Sequence, residues 1–125
     1  MSIQRLDHVN LRTTQLEVMA TWYEQVLGLV NGPRPAFPFP GAWMWAGDVA
    51  VVHLIGVEDA AGVGSEHPLK LEHFAFRAHD LAVFEQRLSD QSVDYRKSEL
   101  PELGLVAFNI WDPDGNHIHV DFEEA

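Results

Sequence analysis

A chain of 125 residues suits one compact domain, and its 4 Trp and 7 Phe supply enough apolar surface for a core. The formal net charge of −11 makes a phosphate backbone a poor partner, so nucleic acid is not expected, while the absence of cysteine excludes disulfides and thiolate metal sites and fits a cytoplasmic protein. The apolar stretches are all interrupted by Pro, Gly or charge, and MSIQRLDH lacks the charged-then-apolar order of a secretion signal, so neither a membrane span nor a leader is expected.

The first element in chain order is a strand over 6–12, LDHVNLR, where Asp7, Val9 and Leu11 alternate with Leu6, His8, Asn10 and Arg12. The face carrying Val9 and Leu11 should pack on a helix, and the face carrying His8, Asn10 and Arg12 should meet something polar. A helix follows. Thr14 and Glu17 have the spacing of a capping box, Leu16, Met19, Ala20, Tyr23, Val26 and Leu27 fall at helical spacing, and Gly28 is a natural stop. Residues 32–41, GPRPAFPFPG, hold four prolines and read as a loop or edge segment with weak extended character over 35–39. Strands are expected over 42–46 and 49–55, turning at Gly47-Asp48. The Gly- and Ala-rich run over 56–70 reads as a linker, giving a first module over 1–56, a linker over 57–70 and a second module over 71–125.

The second half repeats the order. LEHFAFR at 71–77 is a strand with Phe74 and Phe76 on one face and His73 and Arg77 on the other. Asp80 is placed to cap a helix carrying Leu81, Phe84 and Leu88, and strands are expected over 93–98, 104–111 and 116–122, the last two joined by the turn Asp112-Pro113-Asp114-Gly115. Residues 6–12 and 71–77 match at an offset of 65: Leu6, His8 and Arg12 meet Leu71, His73 and Arg77, and Asp7 meets Glu72. The register continues into Leu16 against Leu81 and Val18 against Val83, which makes an internal duplication the better reading. The expected architecture is α+β, with the order βαβββ twice.

Duplication gives the histidines their meaning. His8 and His53 are 45 residues apart on the first and last strands of the first half, and His73 and His119 are 46 apart on the corresponding strands of the second. A single strand histidine is more often a hydrogen-bonded structural residue than a ligand. Four at matching positions point to a metal site, provided that the halves pack about a pseudo-twofold axis and the rings converge. His53 shares its face with Val51 and Ile55 and is equally readable as a wall residue. His117 and Asp121 share the face of His119, as outer residues that orient a ligand or as residues nearer solvent. His67 and His79 read as surface residues.

The opening DHVNLRTTQLEVMATWYEQVLGL, the second opening LEHFAFRAHDL and the closing DPDGNHIHVDF resemble the vicinal oxygen chelate superfamily, which contains glyoxalase I, bleomycin-resistance proteins and extradiol dioxygenases. The resemblance covers almost the whole chain. It implies paired modules whose mixed sheets curl into a cup around a divalent metal (Fe, Mn, Ni or Zn), with ligand positions falling on His8, His53, His73 and His119. Catalytic members commonly place Glu in the last-strand positions that hold His53 and His119 here. A four-His set leaves the ion its full charge and supplies no metal-bound carboxylate base. The implied function is a metal-dependent enzyme acting on a small oxygenated substrate by lyase, isomerase or dioxygenase chemistry. Arg12, Arg34 and Arg77 are candidates for holding a substrate carboxylate, or are ion-paired surface residues. Phe37, Phe39, Trp43 and Trp45 line a substrate pocket, or fill the core. The alternative function is a non-catalytic small-molecule binder of the bleomycin-resistance kind. The same resemblance, with so many aromatics on a small domain, favours a homodimer.

Overall fold

A computed structural model describes residues 2–59 and 71–124, so most of the expected linker, His67 included, lies outside the described residues. The chain divides into two compact units, Met1–His67 and Pro68–Ala125.

In the first unit β1 (Val9–Thr13) leads into α1 (Leu16–Gln25), then β2 (Val30–Gly32), β3 (Gly41–Ala46) and β4 (Val49–Gly56). The sheet order is β1-β4-β3-β2, with β1 parallel to β4 and the other pairs antiparallel. Alternation along β3 and β4 decides which face is covered. Ala42, Met44, Ala50, Val52 and Leu54 are buried with Met19, Ala20 and Tyr23 of α1, which packs on these two strands. The other face carries Trp43, Trp45, Val51, His53 and Ile55, all half-buried. In the second unit β5 (Phe74–Ala78), α2 (Leu81–Asp90), β6 (Arg96–Leu100), β7 (Leu105–Trp111) and β8 (His117–Glu123) form a sheet of order β5-β8-β7-β6. Phe108, Ile118, Val120 and Phe122 make its buried face, and Phe84 of α2 meets the rings of Phe108 and Phe122 edge-on and tilted.

The fold is therefore α+β, with two four-stranded mixed sheets that each carry one helix. The registers match as well as the order. Asn10 lies opposite His53 in the first sheet and Ala75 opposite His119 in the second, the pairing that the 65-residue offset requires.

Local chemistry corrects several expectations. The Thr14–Glu17 capping box does not form: the N-cap is Gln15, without a side-chain cap bond, and its N–H instead donates to the buried Thr13 hydroxyl at 3.0 Å. The stop at Gly28 does form. Its φ of +71° lets the Gly28 and Leu29 N–H groups donate to the Glu24 and Tyr23 carbonyls. The second strand of the first module is Val30–Gly32, not 35–39, because the prolines there have no N–H for a ladder. Arg34 organises that loop: Nη2 donates to the Phe39 carbonyl at 2.9 Å, and the guanidinium lies 5.1 Å from both the Phe37 and Phe39 rings. The strand expected over 93–98 is instead Arg96–Leu100. Asp80 does stand at the N-cap of α2, but at φ +65° and bonded to His79 rather than to the helix.

The turn into β8 is built on Asp112, which is buried. Its Oδ1 accepts from the Asp114 and Asn116 N–H groups at 3.0 and 2.9 Å, and its Oδ2 accepts from Asn116 Nδ2 at 2.8 Å. Hydrogen bonds to a charged group contribute about 1.5–3 kcal/mol each, and stranded donors partly recover by rehydration, so Asp112→Ala is expected to destabilise the fold by about 2–3 kcal/mol. Urea denaturation should show a lower midpoint at unchanged slope. No described helix is long and apolar enough to cross a membrane.

Candidate metal centre

His8 and His73 stand immediately before β1 and β5, and His53 and His119 lie within β4 and β8. In each module the strand pairing brings two of them together. The His8 and His53 rings stack at 3.9 Å and 11°, and the His73 and His119 rings stack at 3.9 Å and 8°.

The residue before each leading histidine completes the arrangement. His8 Nδ1 lies 2.7 Å from Asp7 Oδ2, and His73 Nδ1 is hydrogen-bonded to Glu72 Oε2. Both carboxyls are held below their ordinary range, first by the bond to the following histidine, so they remain ionised acceptors. An ionised carboxylate accepts only, so each Nδ1 carries the proton and each neutral ring keeps its lone pair on Nε2. His53 shows the opposite tautomer, because Nε2 donates to the Ala50 carbonyl at 3.0 Å and Nδ1 is left as the ligand atom. Burial, then the neighbouring His8, lowers the His53 pKa; burial, then His73 and His117, lowers that of His119. Both rings therefore stay neutral, as a metal ligand must, further into acid than a free imidazole.

His117 differs. Its ligand atoms and those of His73 and His119 lie within 4.8 Å of one another. An ion bonded at about 2.1 Å keeps any two ligand nitrogens within about 4.2 Å, so small rotations would close such a triad. Yet Nδ1 of His117 bonds Glu72 Oε1 at 2.9 Å, and its Nε2 bonds Asn109 Oδ1 at 3.0 Å. The Asn109 amide cannot flip to relieve this, because its Nδ2 donates to the Arg96 carbonyl at 3.1 Å and to Ser98 Oγ at 3.3 Å. His117 is thus tied at both nitrogens and stacked on Trp111 at 4.8 Å, while no described residue hydrogen-bonds the His119 ring. Each module offers two imidazoles with an available nitrogen, a donor set suited to a divalent first-row ion.

The remaining candidates fall in distinct places. Asp121 shares the His119 face, and its buried Oδ1 has no hydrogen-bond partner among the described residues. Trp43 covers the second face of His53 at 4.0 Å, and Phe37 and Phe39 stack at 5.1 Å beyond it, the nearer ring 6.4 Å from Trp43. Trp45 donates from Nε1 to the Pro33 carbonyl at 3.0 Å. Arg12 is exposed on β1, and Arg77 pairs with Glu123 at 3.2 Å. Asp7, which strand alternation assigns to the apolar face, is exposed and turned to His8, so sequence reasoning misses its role and that of Glu72. The available signal was an acidic residue preceding histidine at both module openings.

Paired βαβββ modules of this order define the glyoxalase-like class of α+β proteins, and the comparisons agree. No family model matches the chain. The Arabidopsis thaliana protein named Glyoxylase I 4 is 25% identical over 120 residues, covering 92% of this chain and 68% of that protein. A glyoxalase family protein from Bacillus anthracis superposes with a TM-score of 0.79 at 23% identity, over 99% of this chain and 98% of its own. A glyoxylase/bleomycin resistance protein/dioxygenase domain from Frankia sp. EAN1pec gives a TM-score of 0.78 at 19% identity, over 98% and 94%. These likenesses show that the chain has the glyoxalase-like fold.

Proposed function

We propose that the protein is a metal-dependent enzyme acting on a small oxygenated organic substrate, by chemistry of the lyase, isomerase or dioxygenase type. The observation that carries this reading occurs twice: a leading histidine held at Nδ1 by the carboxylate before it, with Nε2 left available, and a second, less basic histidine stacked against it. A structural histidine needs no such pairing in both halves of a duplicated chain. The stacked pairs, His8 with His53 and His73 with His119, offer the nitrogens that would hold an ion, which when bound would polarise neighbouring oxygens of the substrate. Trp43, Phe37 and Phe39 would wall the apolar side of the substrate, and Arg12, Arg34 and Arg77, each of which already has a partner, are the candidate cations for a substrate carboxylate. Asp121 would supply the acceptor that an all-histidine ligand set lacks, since its Oδ1 is buried and unpartnered among the described residues. The names of the Arabidopsis and Bacillus relatives favour the glyoxalase type within this range.

The test is the metal content of purified protein after reloading with Zn, Mn, Ni or Fe(II), followed across pH. Stoichiometric metal is expected at neutral pH. Protons compete for the same nitrogens, so occupancy should fall with acid, and the lowered pKa of His53 and His119 keeps those two rings neutral below the ordinary histidine value of about 6.5. A protein that takes up none of these ions would favour the second reading, a non-catalytic binder. That reading has its own observation, since Phe37 and Phe39 are a stacked aromatic pair left 42% and 40% exposed.

A further inference from the structure

We propose that Glu72 is a positioning residue that fixes the His73 tautomer, and that a hydrogen-bonded relay running to β6 holds Glu72 in place; Asp7 does the same for His8 without a relay. The inference rests on the metal-binding reading above for its consequence, but not for its geometry. Glu72 Oε2 takes the His73 Nδ1 proton, and Oε1 is held by His117 Nδ1 at 2.9 Å. His117 is anchored in turn by Asn109 at 3.0 Å, and Asn109 by the Arg96 carbonyl and Ser98. Glu72 and Asn109 both present acceptor oxygens to His117, so the protonated ring can bond both and the neutral ring only one of them. Glu72 has a 70% exposed side chain, and an exposed glutamate without such an anchor would sample several rotamers and leave His73 free to switch tautomers. The first module lacks the relay. By the register that pairs Asn10 with His53 and Ala75 with His119, Val51 stands where His117 does and Trp43 where Asn109 does. Besides His8, Asp7 is held there among the described residues by Arg5 at 3.5 Å.

Two readouts test this, one of which needs no metal. Nitrogen-15 NMR of the metal-free protein at alkaline pH should show His73 as the Nδ1–H tautomer. Glu72→Ala should shift it toward Nε2–H. Titration of apo-protein with Co(II) should show about a 10–100-fold weaker affinity for Glu72→Ala, the loss typical of residues that orient a metal-binding histidine. Glu72→Gln has one acceptor oxygen for two imidazoles and should fall between. Glu17→Gln, an exposed charge change on α1, controls for net charge and should leave affinity unchanged. A His73 tautomer unaffected by Glu72→Ala overturns the proposal, as does a Glu72→Ala affinity no lower than that of Glu17→Gln. If the parent protein binds no metal but the tautomer responds as expected, the positioning role stands and the metalloenzyme reading fails.

Discussion

Replacing His73 with Ala is expected to remove most of the bound metal, and His8→Ala to do the same. Each ring is the one whose tautomer is set by a dedicated carboxylate, so each contributes a ligand with its lone pair already directed. Loss of an orienting neighbour typically costs about 10–100-fold in affinity, and loss of the ligand itself should exceed this, reaching at least about 100-fold. His119→Ala should follow the same course. His53→Ala should be milder, because the ring is clamped between His8 and Trp43 and its Nε2 is tied to Ala50. His79→Ala should have no effect, since that side chain is 94% exposed and bonded to Asp80. Metal analysis of dialysed variants gives the order directly. Full occupancy in both His73→Ala and His8→Ala would place the site elsewhere.

The second large effect lies in the core. Phe108 is fully buried and meets three rings, Phe84 at 5.5 Å, Tyr95 at 5.4 Å and Phe122 at 5.6 Å. Phe108→Ala removes all three contacts and leaves a cavity that strands cannot close, at a cost of about 3–5 kcal/mol. Domains of this size are stable by about 5–15 kcal/mol in total, so the variant should be near the limit of folding. Trp111→Ala, on a residue 44% exposed at the end of the same strand, should cost much less. Urea denaturation of the two variants makes the comparison. A Phe108→Ala protein within about 1 kcal/mol of its parent would mean that the ring is not the centre of that core.

What the sequence disclosed follows from where local pattern and tertiary packing agree. β4 and β8 alternate between buried and half-buried residues along most of their length, so strand alternation applied to VAVVHLI and NHIHVDF identified which residues share a face with His53 and His119. The duplication was legible because the two openings keep matching residue types at a constant offset. β2 was not, since three residues, Val30–Gly32, carry no readable period and take their conformation from pairing with Trp43–Trp45. The capping box failed because the buried Thr13 hydroxyl already holds the Gln15 N–H, a competition that spacing alone does not reveal. Within the site, the histidines could be named from the repeat, but their tautomers could not. Those depend on which acceptor each ring nitrogen meets, and Asp7 and Glu72 lie outside the strands whose alternation was being read.

The differences between the halves bear on how such a chain came about. A module encoded once and used twice must carry the same residue in both copies, so an indole beside one histidine pair and an amide beside the other could not coexist. Joining two copies in one gene removes that constraint. Trp43 and Asn109, or Val51 and His117, could then be selected separately, one half for an apolar backing and the other for a hydrogen-bonded one. The divergence of these two positions would accordingly postdate the fusion. A single-module ancestor assembled as identical pairs would have been confined to one of the two solutions.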